Sequence, residues 1–363
     1  MTRRATATIA VFLAAGLALV PGAQARPPRD FFGIVPQSSV GPADTNRMGH
    51  AHVGALRLPL SWDAIQASPR SGYDWGGTDQ LVATAARARL EVLPFVYRTP
   101  RWLAGRPTDL PVANGRQRRA WSAFLRAAAE RYGVHGSFWR EHNRASGDFV
   151  PRRPIKRWQI WNEENFFYFT TPVWPRPYAV LLKISHRALR RGDRRSQVVL
   201  GGLFGDPKPR PPRGMDAVDF LDRLYRVPGI KRSFDGVALH PYAADQRALR
   251  RLTWGVRRTM LRHGDRRAGL YVTELGWGSQ HDPRRVAFEV GWRQQARELR
   301  RAYGFLIDNR QRLNLKQVYW FTWKDIPGSC SFCDSVGLFR RGPRFKPKPA
   351  WHVLVRLAHG GLR

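Results

Sequence analysis

Two glutamates stand where apolar runs of the chain give out: Glu163 follows Ile160-Trp161-Asn162, and Glu274 follows Leu270-Tyr271-Val272-Thr273. A lone Glu closing an apolar run has no packing reason to be there. Two carboxyls flanking one bond are the apparatus of glycoside cleavage. One stays protonated and donates to the leaving oxygen, and the other is ionised and attacks or activates water. For attack with net retention the two groups should lie roughly 5 to 5.5 Å apart. Glu164 is a rival acid, and since neighbouring strand residues point to opposite sides, only one of Glu163 and Glu164 can face a substrate if the strand persists that far.

Something must bring these distant positions together. Eight apolar, β-branched or aromatic runs recur along the chain, at 31–35, 54–60, 90–97, 155–161, 198–203, 236–240, 269–274 and 317–323. Between them lie helical patterns, such as Trp121, Phe124, Leu125, Ala128 and Tyr132, or Tyr178, Leu181, Leu182, Ser185 and Leu189. This alternation predicts an α/β fold, a single (β/α)8 TIM barrel over residues 31–363, whose strand C-termini build the reactive face. Glu163 then closes strand four and Glu274 strand seven, across the barrel mouth from each other. Thr78 offers an N-cap after the second strand, and Gly133 and Gly192 punctuate helix ends. A first helix near 44–50 is the faintest in the pattern. The Pro-rich stretch 206–213 either walls the cleft or acts as a stiff connector.

The combination Trp161-Asn162-Glu163 with Glu274, Arg57 ending strand two, His240-Pro241-Tyr242 after strand six and Trp320 in strand eight resembles the retaining glycoside hydrolases of clan A, particularly the family 5 and family 39 types. The resemblance implies that Glu163 is the general acid/base, because it follows Asn162 directly. It implies that Glu274 is the nucleophile and that Asn162 binds the sugar 2-hydroxyl. Arg57 would keep Glu274 ionised, since a nearby cation lowers a carboxylate pKa. His240 and Tyr242 would orient the nucleophile and bind sugar, while Trp320 and Trp277 would contact it; equally, a His or Trp ending a barrel strand can fill the top core layer. Phe166, Phe167, Tyr168, Phe169, Trp174 and Trp323 also crowd the predicted rim. The pattern departs from the family at Glu164, where many relatives have Pro. Relatives of this kind act on β-xylosides, α-L-arabinofuranosides, β-glucans, mannans and exopolysaccharides, and need no metal or cofactor. The alternative is a barrel that binds envelope polysaccharide without cutting it.

The N-terminus, with Arg3 and Arg4 ahead of an apolar stretch at 9–20 and an Ala23-Gln24-Ala25 triplet, predicts a signal peptide over 1–25. A short disordered lead should follow at 26–30. The expected product is an exported monomer with no transmembrane span, acting on a carbohydrate partner. The formal net charge of +35, with 54 of 62 basic residues Arg, must attract polyanions, and mildly favours an acidic or envelope-associated glycan. No basic arm or nucleic-acid signature accompanies it, so no specific nucleic acid is expected. The two cysteines, Cys330 and Cys333, are best read as a small disulfide stiffening a loop after strand eight, ahead of redox chemistry or half a zinc site.

Overall fold

The apolar runs become parallel strands that close on themselves. The computed structural model describes residues 26–145, 149–205, 210–280, 288–326, 328, 333–342 and 345–361. In chain order these form β1 (Phe32–Val35), α1 (Pro42–His50), β2 (Ala55–Ser61), α2 (Trp62–Ile65), α3 (Gly76–Arg87), β3 (Glu91–Tyr97), α4 (Gly115–Tyr132), α5 (Phe138–Ala145), β4 (Arg157–Ile160) and α6 (Pro175–Gly192). The second half adds β5 (Gln197–Leu200), β6 (Leu203–Phe204), α7 (Ala217–Tyr225), β7 (Gly236–His240), α8 (Gln246–Arg262), β8 (Gly269–Leu275), α9 (Trp292–Asp308), α10 (Arg310–Leu313), β9 (Leu315–Phe321) and α11 (Pro349–Ala358). Strand order β5-β4-β3-β2-β1-β9-β8-β7-β6, with β5 also pairing β7, closes an eight-stave (β/α)8 barrel. The expected strands six, seven and eight are thus β7, β8 and β9.

Inside the barrel, bulk on one strand meets its absence on the next. A side chain at Gly33 would run into the Tyr319 ring, and one at Gly236 into the Tyr271 ring. On the outside, the helix stripes read from the sequence are buried: Trp121, Phe124 and Tyr132 of α4, and Tyr178, Leu182 and Leu189 of α6, are all at 0% exposure. Among the described residues, no helix is long and apolar enough to cross a membrane.

Several boundaries differ from expectation for physical reasons. Strand four stops at Ile160, because Trp161 (φ 76°) and Glu163 (φ 42°) leave the extended region. The fifth stave is not one run over 198–203 but is split into β5 and β6 by Gly201 and Gly202. Gly202 has φ 93°, and a Cβ there would collide with the His240 ring. α3 starts at Gly76, so Thr78 is not its cap; the helix has no side-chain N-cap, and Asp79 instead accepts from the Tyr132 hydroxyl at 2.6 Å and from Arg131. The lead at 26–30 is held rather than loose: Arg26 donates to the Ala358 carbonyl and Arg29 to the Gly49 carbonyl, and Arg29–Phe31 forms a 3-10 turn. The expected signal peptide at 1–25 lies outside the described residues.

Gly202→Ala should therefore lose well over the ~1 kcal/mol typical of a Gly/Ala exchange. Gly304→Ala, in open space within α9, should gain about 0.5–1 kcal/mol. Urea unfolding of the two variants checks the contrast.

Candidate active site

Polar side chains from the carboxyl ends of β4, β7 and β8 converge on one buried cation from β2, which does not end at Arg57 as expected but runs on to Ser61. Arg57 of β2 is fully buried and uses three edges of its guanidinium. Nε donates to Gln159 Oε1 at 2.7 Å, NH1 to Glu274 Oε1 at 2.6 Å and NH2 to Asn162 Oδ1 at 2.6 Å. Its charge also lies 4.0 Å from the centroid of the Phe95 ring, a cation–π contact from below. Planarity and a fixed fork of donors are why Arg, not Lys, can hold three partners from two different strands at once.

Glu274 is gripped twice, by Arg57 on one oxygen and by the Tyr242 hydroxyl, which donates to Oε2 at 2.8 Å. Glu163 is placed differently. Its Oε1 lies 2.9 Å from His240 Nδ1, and His240 Nε2 lies 3.0 Å from Thr273 Oγ1. Gln159 Nε2 reaches the same threonine at 3.5 Å. One oxygen of Glu163, one of Glu274 and one ring nitrogen of His240 lie within 4.8 Å of one another. Asn162, Glu163, Tyr242 and Glu274 keep 5%, 6%, 8% and 7% exposure, whereas Arg57, Gln159, His240 and Thr273 have none. The first four groups therefore form the floor that a ligand can reach, and the others hold them from beneath.

The electrostatics separates the two carboxyls. Burial pushes Glu163 well above the usual carboxylate range, and the charge of Glu274 pushes it further. Burial also raises Glu274, but Arg57 and the Tyr242 hydroxyl oppose it. Burial, with Arg57 nearby, drives His240 well below its ordinary value, so the imidazole is neutral: one ring nitrogen donates and the other accepts. Burial and Glu274 raise Tyr242, which stays a donor. Glu163, His240 and Glu274 have ligand types that suit a divalent metal. A guanidinium 2.6 Å from Glu274 already occupies the cationic position there, and a second cation beside it would be repelled.

The structure brings Arg57, Asn162, Glu163, His240, Tyr242 and Glu274 together. It does not bring Trp277 or Trp320 to the surface as ligand contacts. Both are at 0% exposure; Trp320 donates from Nε1 to the Val336 carbonyl and Trp277 to the Ala243 carbonyl, and their rings lie 6.3 Å apart. They are core. Trp323 is likewise buried, donating to Asp44 Oδ1. Among the rim aromatics, Tyr168 is 65% and Trp174 38% exposed. Of the Pro-rich stretch, 206–209 lie outside the described residues, while Arg213 packs over the Phe167 ring at 4.1 Å. Cys333 is buried and disulfide-bonded; Cys330, the only other cysteine in the chain, lies outside the described residues. Gln159, Thr273 and Phe95 are the supporting residues that sequence reasoning missed. A polar residue inside an apolar run was the available sign for the first two.

Glu164 lies apart from the group formed by Glu163, His240 and Glu274. It is fully buried and packs against Gly201, and burial outweighs the Glu164 and Gly201 N–H groups and the Tyr178 hydroxyl that lie near its carboxyl. The Tyr178 hydroxyl beside it is committed to the Ile160 carbonyl and accepts from Gly201 N–H. Burial pushes Glu164 up to about 8.

No model of a protein family and no curated protein matches this chain. Solved structures do match. A family 39 glycoside hydrolase from the gut symbiont Bacteroides cellulosilyticus superposes with TM-score 0.63 at 18% identity over 92% of this chain and 64% of that one. A monomeric β-xylosidase from Caulobacter crescentus gives 0.61 at 19% identity, over 92% and 69%. Xylanase 10B from Thermotoga maritima gives 0.60 at 14% identity, over 91% and 94%. The chain spans just under two thirds of the length of the first of these. The barrel is thus the fold that these three glycoside hydrolases have.

The Glu164 environment makes a stability prediction. A carboxyl raised in the folded state and ordinary in the unfolded one makes the fold bind the extra proton, so stability falls as pH rises from about 4.5 to about 8 and is level beyond. Glu164→Gln should flatten that slope and unfold at a higher temperature than the parent at pH 8, with little difference at pH 4.5. Thermal melts across this range would show parallel curves if Glu164 were ionised and solvated.

Proposed function

We propose that this protein is a glycoside hydrolase that cleaves O-glycosidic bonds with net retention, Glu163 acting as general acid/base and Glu274 as nucleophile. The observation that carries the reading is the unequal pairing of two carboxyls that approach within 4.8 Å: Glu274 faces a guanidinium and a phenol, Glu163 a neutral imidazole. The short separation supports attack by a carboxylate, since a water-activating pair needs roughly 6.5 to 9.5 Å.

In the first step Glu163 gives its proton to the leaving oxygen while Glu274 attacks the anomeric carbon, forming a covalent glycosyl ester. In the second, Glu163, now ionised, takes a proton from water as that water displaces Glu274. Arg57 pins the Asn162 amide oxygen, which fixes the opposite NH2 edge as a donor for the sugar 2-hydroxyl. His240 steadies Glu163 through both protonation states. The signal-peptide pattern read over residues 1–25 supports action outside the cytoplasm.

Purified protein should release reducing ends from a panel of aryl glycosides and polysaccharides. Glu274→Gln should lower kcat by about a thousandfold or more. Product followed by proton NMR from the first turnovers should carry the anomeric configuration of the substrate; an inverted product would refute the reading. Tyr242→Phe removes a donor that favours ionised Glu274, so the acid limb of kcat/KM should move to higher pH. An unmoved limb would mean that Tyr242 does not tune the nucleophile.

A further inference from the structure

The outward face of α9 presents Arg293, Arg297, Arg300 and Arg301, all exposed. Among the described residues only Arg301 of the four has an ion pair, with Glu298 at 3.4 Å. Two clefts flank the helix and share Arg297. One, of about 550 Å³, lies toward α8 and sets Arg250 beside Arg297, Arg300 and Arg301 around Phe305, with Asp308 as its acidic lining residue. The other, of about 680 Å³, lies toward α11 and gathers Arg293, Arg297, Arg340 and Arg356 around Trp292. Two guanidiniums rest on aromatic planes, Arg340 at 3.4 Å from the Trp292 centroid and Arg250 at 5.1 Å from that of Phe305. Stacking holds a guanidinium flat and turns its N–H edge outward, the edge that grips a carboxylate with two hydrogen bonds. Cations packed this closely, four to one acid in the first cleft and with no acid lining the second, repel one another and are relieved by an anion.

The direction of the strip matters. In a (β/α)8 barrel the helix after a strand starts at the mouth and runs back down the flank. Arg293 is therefore at the mouth end, and Arg301 lies about 12 Å below it at 1.5 Å per residue. Arg293, Arg297 and Arg301 follow one another at about 6 Å, a spacing comparable to one sugar unit along a polysaccharide. A strip one helix wide meets one line of charge, whereas a nucleic-acid duplex presents two.

We propose that the α9 face and its two clefts form a docking strip for an acidic polysaccharide, a single chain bearing carboxylates, which it leads along the barrel flank to the mouth. The choice of a glycan as the polyanion rests on the glycosidase reading; the strip itself does not.

The test is binding of full-length protein to fluorescent polygalacturonate over a range of salt. The parent is compared with a fourfold Arg293, Arg297, Arg300 and Arg301→Gln variant, and with a control in which Arg116, Arg119, Arg126 and Arg190, on α4 and α6, become Gln. Both variants lose the same charge. The α9 variant should bind at least about tenfold more weakly at low salt, with its log–log salt slope reduced by about 3, while the control changes less than about threefold. Should the fourfold variant not melt like the parent, Arg297→Gln alone replaces it, with an expected loss of about two- to threefold. Equal weakening of both fourfold variants would overturn the proposal, because the charge would then act diffusely. Tighter binding of duplex DNA than of polygalacturonate, lost in the α9 variant, would also overturn it in favour of a nucleic-acid surface. Absence of reducing-end release by the parent from every glycan, with binding still specific to α9, would sink the glycosidase reading and leave the strip standing.

Discussion

A guanidinium with no access to water cannot remain in a barrel core unless its charge is matched and its donors are filled, since the desolvation of an unpaired buried charge amounts to several kcal/mol. Arg57 is in that position, and the site is organised around meeting its demand. Gln159 and Asn162 answer from the fourth stave and its end, Glu274 from the seventh, and Phe95 from the third. Because these partners come from strands on different sides of the barrel, satisfying one side chain also fixes the relative placement of Asn162 and Glu274. The carboxylate held closest to the cation is the one biased toward ionisation.

The other carboxyl is shaped by what the cation does not reach. Glu163 sits beyond the end of β4 on backbone with positive φ, a conformation that non-glycine residues keep only where the surroundings hold them. Its partner His240 is neutral for want of solvent, and the ring has room only because Gly202 lacks a side chain. Gly201 beside it makes room for Glu164 in the same way. The interruption of the fifth stave is therefore part of the site: two glycines break a strand so that an imidazole and a buried acid fit behind Glu163.

The staves were legible because parallel strands buried on both faces read as apolar runs, and Glu163 and Glu274 were legible because each is a charge at the end of such a run. Gln159 and Thr273 were harder to see. They alternate inward within those runs, and nothing local distinguishes a polar residue that faces a barrel interior from one that faces solvent. Trp277 and Trp320 misled for the converse reason: an aromatic near a strand end suits a sugar platform or a top core layer equally well, and their Nε1 donors turned out to be spent on carbonyls. The N-cap at Thr78 failed because α3 begins two residues earlier, at Gly76, which leaves Thr78 inside its first turn. Charge clustering was hidden most completely. Arginines are spread evenly along the sequence, and only folding brings Arg250 to Arg297 on one flank of α9 and Arg340 and Arg356 to it on the other.

The central claim is that Arg57 and Tyr242 divide two adjacent buried carboxyls into one proton donor and one nucleophile. Carbon-13 NMR titration of the carboxyl groups, with Glu163 and Glu274 assigned by substitution, addresses it most directly. Glu274 should lose its proton first on raising the pH, with Glu163 holding its own well above the usual carboxylate range. Glu163 ionising first, or both titrating together as ordinary solvent-exposed carboxylates, would contradict the division of roles.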